Sequence, residues 1–184
     1  MRTLVLAASL CLAAAPAFGA GFTVTSPDIP NNGTIPMVHV FNAGGCTGGN
    51  QSPALSWSGE PAGTQSFAIT VFDPDAPTGS GWWHWTVVNI PASVHSLPVN
   101  AGAAQSPSLP EGAVEGRTDF GFSNYGGPCP PKGDPPHRYQ ITVYAVKQAK
   151  LPLDAQASGA TVGFVLHFNT LGTARITGRY GRPR

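Results

Sequence analysis

Two aspartates, two histidines and a tyrosine fall in three short clusters, each where a strand is expected to end or begin. The first is Asp73-Pro74-Asp75-Ala76-Pro77, in which a proline between two carboxylates makes a rigid turn. An Asx-turn is the ordinary structural use of such a segment. The second is Trp82-Trp83-His84-Trp85. Strict alternation along a strand puts His84 on the face opposite Trp83 and Trp85, and a lone strand histidine more often serves the core than a ligand. The third runs from Gly126-Gly127-Pro128-Cys129-Pro130-Pro131-Lys132-Gly133 to His137-Arg138-Tyr139. There His137 and Tyr139 share one face of a strand start while Arg138 points the other way.

These side chains suit two chemistries. Imidazoles, a tyrosine hydroxyl and loop amides can donate hydrogen bonds to a phosphate-type anion. Two His and two Asp can instead ligate a divalent metal, as in a metal-dependent hydrolase. The D-x-D and H-x-Y spacings do not choose between them. No nucleophile with a neighbouring base stands out and no glycine-rich phosphate loop opens a helix, so no catalytic set and no cofactor are expected. With an anion bound, the carboxylates would hold the imidazoles in their charged form by raising their pKa values.

The elements that must position these residues follow from composition and pattern. Gly (23) and Pro (19) make up nearly a quarter of the 184 residues, about twice the usual share, which argues against a helical bundle or coiled coil. With 41% hydrophobic residues a core can form, so disorder is excluded. A formal net charge of +1 gives no support for a nucleic-acid or acidic-membrane partner. What remains is a turn-rich all-β domain. Met1-Arg2-Thr3 leads a short apolar run, Leu4 to Ala15, followed by small residues around Ala17-Phe18-Gly19. This is the pattern of a cleaved secretory leader over residues 1–19, and the apolar run is too short to be a transmembrane segment. Residues 20–184 are then one domain, periplasmic or secreted. Removal of Cys11 with the leader leaves Cys46 and Cys129, an even pair in an oxidising compartment, and a disulfide is expected. Closing a loop that long stabilises by about 4–5 kcal/mol in the chain-entropy model.

Phe22–Ser26, Ala54–Trp57, Phe67–Phe72, Trp83–Ile90, Tyr139–Val146 and Ala174–Tyr180 read as strands. Long Gly/Pro loops at 91–116 and 120–136 separate them. Phe164, Phe168 and Leu171 fall at i, i+4 and i+7, predicting a helix over 158–170. Arg175, Arg179, Arg182 and Arg184 crowd the C-terminus and read as a solvated basic tail.

The three clusters in this order, with His39-Val40-Phe41-Asn42, Pro61-Ala62-Gly63-Thr64, Arg117-Thr118-Asp119-Phe120-Gly121 and Ser158-Gly159-Ala160, resemble the phosphatidylethanolamine-binding protein (Raf kinase inhibitor-like) family. The bacterial YbhB/YbcL branch is the most similar, over nearly the whole chain after the leader. The resemblance implies a sandwich of two antiparallel sheets with one or two short helices and a small anion pocket at one end. It implies that Asp73, Asp75, His84, His137 and Tyr139 form the ligand-binding set, with Cys129, Pro130 and Pro131 as its loop wall. A Cys46–Cys129 bond would tether the loop from Asn42 to Asn50 beside that site. The helix that covers the pocket in eukaryotic members has no counterpart after Tyr180, so a more open pocket is expected. The implied ligand is phosphate or a phospholipid head group; a protein partner, as for inhibitors of kinases or proteases, is the alternative. Monomer and homodimer both stay open.

Overall fold

Three long aromatic and β-branched runs build the centre of the molecule. The computed structural model describes residues 21–184, and the leader expected over residues 1–19 lies outside them. In chain order the described elements are β1 (Thr23–Thr25), a 3-10 turn (Met37–His39), β2 (Leu55–Ser58), β3 (Ser66–Asp73), β4 (Trp82–Pro91), β5 (Ser96–Leu97), β6 (Val114–Glu115), β7 (His137–Val146), α1 (Gly159–Asn169) and β8 (Thr170–Tyr180). They form two antiparallel sheets, β1-β2-β5 and β6-β4-β3-β7-β8.

β3 is central and covered on both faces, as its unbroken run Phe67-Ala68-Ile69-Thr70-Val71 requires. Phe67, Ile69 and Val71, with Trp85, Tyr139 and Ile141, pack against Val24, Leu55, Trp57 and Leu97 of the small sheet. This is the sandwich core. Ala68, Val88 and Val146 on the other face meet Leu151 and the α1 residues Val162 and Leu166.

α1 starts where Ser158 Oγ accepts from Thr161 N at 3.2 Å, an ordinary N-cap. The helix lies where the spacing predicts it, but the face that signalled it points outward: Phe164 and Phe168 are 67% and 58% exposed. The packed face is Gly159, Val162, Gly163 and Leu166, also at helical spacing. Its glycines let Trp83 lie on the helix: a Cβ at Gly159 would sit 2.2 Å from that indole. A face built half of glycine carries little hydrophobic signal, so the sequence pattern pointed to the wrong side.

Strict alternation also fails in β4. Val71 pairs with Trp85 and the next residue, Phe72, pairs with Trp83, so His84 is an extra residue in a β-bulge. Trp85 therefore enters the sandwich core beside Tyr125, while Trp83 packs at a tilt on Phe72 beneath α1. The two tryptophans lie on opposite faces, contrary to expectation. A second register shift surrounds Asn89, at φ 61°. Its side chain accepts from Leu151 N at 2.7 Å and donates to Leu151 O at 3.3 Å.

The arginines are solvated in part: Arg175, Arg179 and Arg184 are exposed, but Arg175 and Arg179 belong to β8 and Arg182 is half-buried and held. Arg175 Nε donates to Thr142 Oγ1 at 2.8 Å, and Arg179 pairs with Arg138 across the β7–β8 ladder. Arg182 donates to the carbonyls of Pro130 (2.6 Å) and Gly45 (2.9 Å).

Candidate functional site

Where β3, β4 and β7 end together, a cavity of about 180 Å³ opens. Its strand wall carries Asp73, Trp82, His84, His137 and Tyr139, and its loop wall carries Phe120 and the run Cys129-Pro130-Pro131. Alternation brings His137 and Tyr139 in from β7, both buried, with the exposed Arg138 between them. The bulge turns His84 inward, so its ring meets Phe120 and Tyr139 edge-on at 5.3 and 5.1 Å.

Each polar group has a defined state. His84 Nδ1 lies 2.7 Å from Gly126 O. A carbonyl only accepts, so Nδ1 carries the proton and Nε2 is left with a lone pair. Burial drives the His84 pKa down to about 4, although the Gly126 carbonyl and the Asp73 charge pull the other way. The imidazole is therefore neutral, and the expected carboxylate-held charge does not hold for His84, because desolvation outweighs the more distant charge. His137 Nδ1 donates to Asp73 Oδ2 at 2.7 Å, both side chains being almost fully buried. The other oxygen of Asp73 accepts from Asp75 N at 2.9 Å, closing the Asx-turn. His137 Nε2 faces Asp134 Oδ2 at 3.5 Å. Burial, with the Asp73 charge second, pushes the Tyr139 hydroxyl well above its ordinary range, so it remains a donor.

Seven of the eight residues singled out from sequence line this cavity, and Asp75 does not. Asp75 instead grips Arg138: its carboxylate accepts from Arg138 N (2.8 Å), Nε (2.9 Å) and Nη2 (2.6 Å). This hydrogen bonding holds its carboxyl down at about 2. It pins the start of β7 from outside the cavity.

The loop wall is held from further away. Cys46 and Cys129 are joined by a disulfide across 83 positions. Asn50, at φ 51°, accepts from Gly127 N (2.7 Å) and donates to Tyr125 O (3.1 Å). Phe41 N donates to Pro128 O at 3.1 Å. Gly127 passes so close to the opposite loop that a Cβ there would lie 2.1 Å from His39 O.

Sequence reasoning passed over five lining residues: Ala76, Pro77 and Thr78 of the turn after β3, Trp82, and Phe120. Trp82 stood inside a cluster read only as a strand start, and Phe120 sits in a loop whose only signal was its motif. The indole Nε1 of Trp82 and the hydroxyl of Tyr139 are both buried without a hydrogen-bond partner. Among the described residues, no three His, Cys, Asp or Glu side chains are grouped so as to hold a metal ion. The cavity wall thus combines two residues that carry buried, unpartnered donors with a neutral imidazole and apolar side chains.

Comparison with known proteins agrees with this architecture. The family model for phosphatidylethanolamine-binding protein matches residues 25–181. UPF0098 protein YbcL of Escherichia coli is 55% identical over 180 residues, covering 98% of either chain. UPF0098 protein YbhB of the same organism is 48% identical over 155 residues, covering 84% of this chain and 97% of its own. The crystal structure of E. coli YbcL, described as a new member of the mammalian PEBP family, superposes with a TM-score of 0.86 at 58% identity, covering 88% of this chain and 99% of that one. The sandwich, the ordered motifs and the nearly full-length matches lead to one assignment: the chain belongs to the phosphatidylethanolamine-binding protein family, in its YbhB/YbcL branch.

Proposed function

We propose that this protein binds a small phosphate-type anion in the cavity at the ends of β3, β4 and β7, and that it does so outside the cytoplasm. The observation that carries the reading is the pair of buried, partnerless donors, Trp82 Nε1 and Tyr139 Oη, on residues of the cavity wall. Each such group costs about 1–3 kcal/mol while unpaired, and an anion seated between them supplies the missing acceptors. A cavity of about 180 Å³ is smaller than the roughly 300–1,000 Å³ of drug-sized sites. It suits a phosphate or a phosphorylated head group. The neutral His84 adds an acceptor for a P–OH group. A bound anion also stabilises the imidazolium, raising the His84 pKa in the complex, so affinity rises as pH falls toward the His84 transition.

Export is supported by the leader pattern of residues 1–19 and by the Cys46–Cys129 bond, a chemistry of oxidising compartments. Residues 20–184 are then the single mature domain. Fractionation tests this part: the full chain belongs in the periplasm or medium and a chain lacking residues 1–19 in the cytoplasm. A full chain that stays cytoplasmic contradicts it.

Calorimetric titration with inorganic phosphate and with phosphorylethanolamine tests the binding itself. Wild type should bind one equivalent, Tyr139→Phe about tenfold more weakly, and His84→Ala not measurably, with circular dichroism unchanged. Equal titrations in all three proteins would overturn the site. Stoichiometric zinc after chelator-free purification would replace the reading with a metal centre.

A further inference from the structure

One guanidinium spans the same two loops that the disulfide joins, one residue away on each side. Arg182 Nε donates to Pro130 O at 2.6 Å, next to Cys129, and Nη1 donates to Gly45 O at 2.9 Å, next to Cys46. Its own carbonyl accepts from Gly133 N at 3.0 Å, at the far end of the pocket loop. Arg182 lies one residue beyond the stretch that matches the family model, and it is not among the residues lining the cavity.

We propose that Arg182 is a positioning residue of the pocket, fixing the Cys129-Pro130-Pro131 wall against the loop around Gly45 without touching the ligand. The inference rests on the anion-binding reading. The wall needs such an anchor because Pro128, Pro130 and Pro131 have no N–H, so its strand-like pairing is confined to the bridge of Lys132 with Arg182. Its carbonyls are the groups left to grip. A planar guanidinium with a fixed fork of donors satisfies two carbonyls at once, whereas an ammonium is a point charge on a flexible stem. Gly44 and Gly45, at φ 63° and 80°, give the partner loop a left-handed turn that suits glycine. Arg182 and the disulfide are thus two cross-links of different chemistry over one gap, and each covers for loss of the other.

The test titrates inorganic phosphate into wild type, Arg182→Ala, Arg182→Lys, the Cys46→Ser/Cys129→Ser pair, and Arg182→Ala combined with that pair, at low and high salt. Amide hydrogen exchange of residues 126–134 is followed in each. Arg182→Ala and Arg182→Lys should each weaken phosphate binding about 3- to 10-fold, equally at both salts, and the combined variant should lose more than the product of its parts. Amides of the pocket loop should exchange faster in both arginine variants while those of β3 and β7 stay unchanged. Full affinity in Arg182→Lys would show that charge and not the fork matters, and would overturn the proposal. So would wild-type affinity with unchanged loop exchange in Arg182→Ala. If wild type itself gives no phosphate signal, the anion reading fails, and loop exchange alone decides whether Arg182 clamps the wall.

Discussion

The two walls of the cavity are held by different means. The strand wall is fixed from within: His137 is tied to Asp73, and Tyr139 sits in the sandwich core. The loop wall is fixed from outside, by the Cys46–Cys129 bond, by Asn50 and by Arg182, all distant in sequence. A sheet edge supplies buried polar groups with preset directions. A proline-rich loop supplies shape, but only once other segments pin it. Damage to the strand wall should therefore appear first as lost stability, and damage to the loop wall first as lost order around the cavity.

The largest effect is expected from Asp73→Ala, which leaves the buried His137 Nδ1 without its acceptor and opens the Asx-turn. Breaking such a buried pair costs about 3–5 kcal/mol, read as a fall in the urea midpoint. A loss below about 1 kcal/mol would mean that the pair does not hold this wall.

Next is the pH dependence of His84. Its folded pKa, about 4, lies below the ordinary 6.5, so between these values the unfolded chain binds the extra proton and stability rises with pH. The full term is up to about 3 kcal/mol. Glu115, which burial raises from 4.5 to about 7, slopes the other way over pH 4.5–7. The His84 term is therefore read as the difference between wild type and His84→Asn, a variant that should flatten the gain between pH 4 and 6.5. Parallel curves would contradict the neutral imidazole.

Gly127→Ala probes the loop wall. Its Cβ would lie 2.1 Å from His39 O, and relief of the clash costs about 1–3 kcal/mol. Exchange of the 126–134 amides should rise more than the global midpoint falls. A purely global loss would erase the distinction between the walls.

The smallest effect belongs to Asp75→Asn. The ion pair with Arg138 is open to solvent, which screens it, so its contribution to stability is small. That stability is present above the unfolded carboxylate pKa and lost as pH falls through about 2. Melting of wild type and variant should converge at the acid end, and a gap that persists there would assign Asp75 a different role.

What was legible in the sequence tracks these same physics. Phe67–Phe72 and Tyr139–Val146 announced buried strands, and H-x-Y put His137 and Tyr139 on one face because a strand alternates without exception there. The rule failed at His84, since a bulge is a one-residue irregularity with no residue type of its own. The helix face of Gly159, Val162, Gly163 and Leu166 was silent because glycine packs closely without being hydrophobic. Arg182 and Asn50 act across 52 and 77 positions, and local patterns carry no trace of such contacts. Pairing Cys46 with Cys129 succeeded only because two cysteines leave a single choice.

The central claim, that a phosphate-type anion satisfies the unpaired donors of the strand wall, is tested most directly by the indole N–H signals of the four tryptophans during a phosphate titration followed by ¹H–¹⁵N NMR. Trp82 is a wall residue with a partnerless Nε1, Trp57 Nε1 is equally partnerless but lies in the core, and Trp85 Nε1 already donates to Glu115 at 2.6 Å. The Trp82 indole signal should move downfield and saturate while those of Trp57 and Trp85 stay in place. A Trp82 signal that does not move at saturating phosphate, or one that moves together with Trp57 and Trp85, would contradict the account.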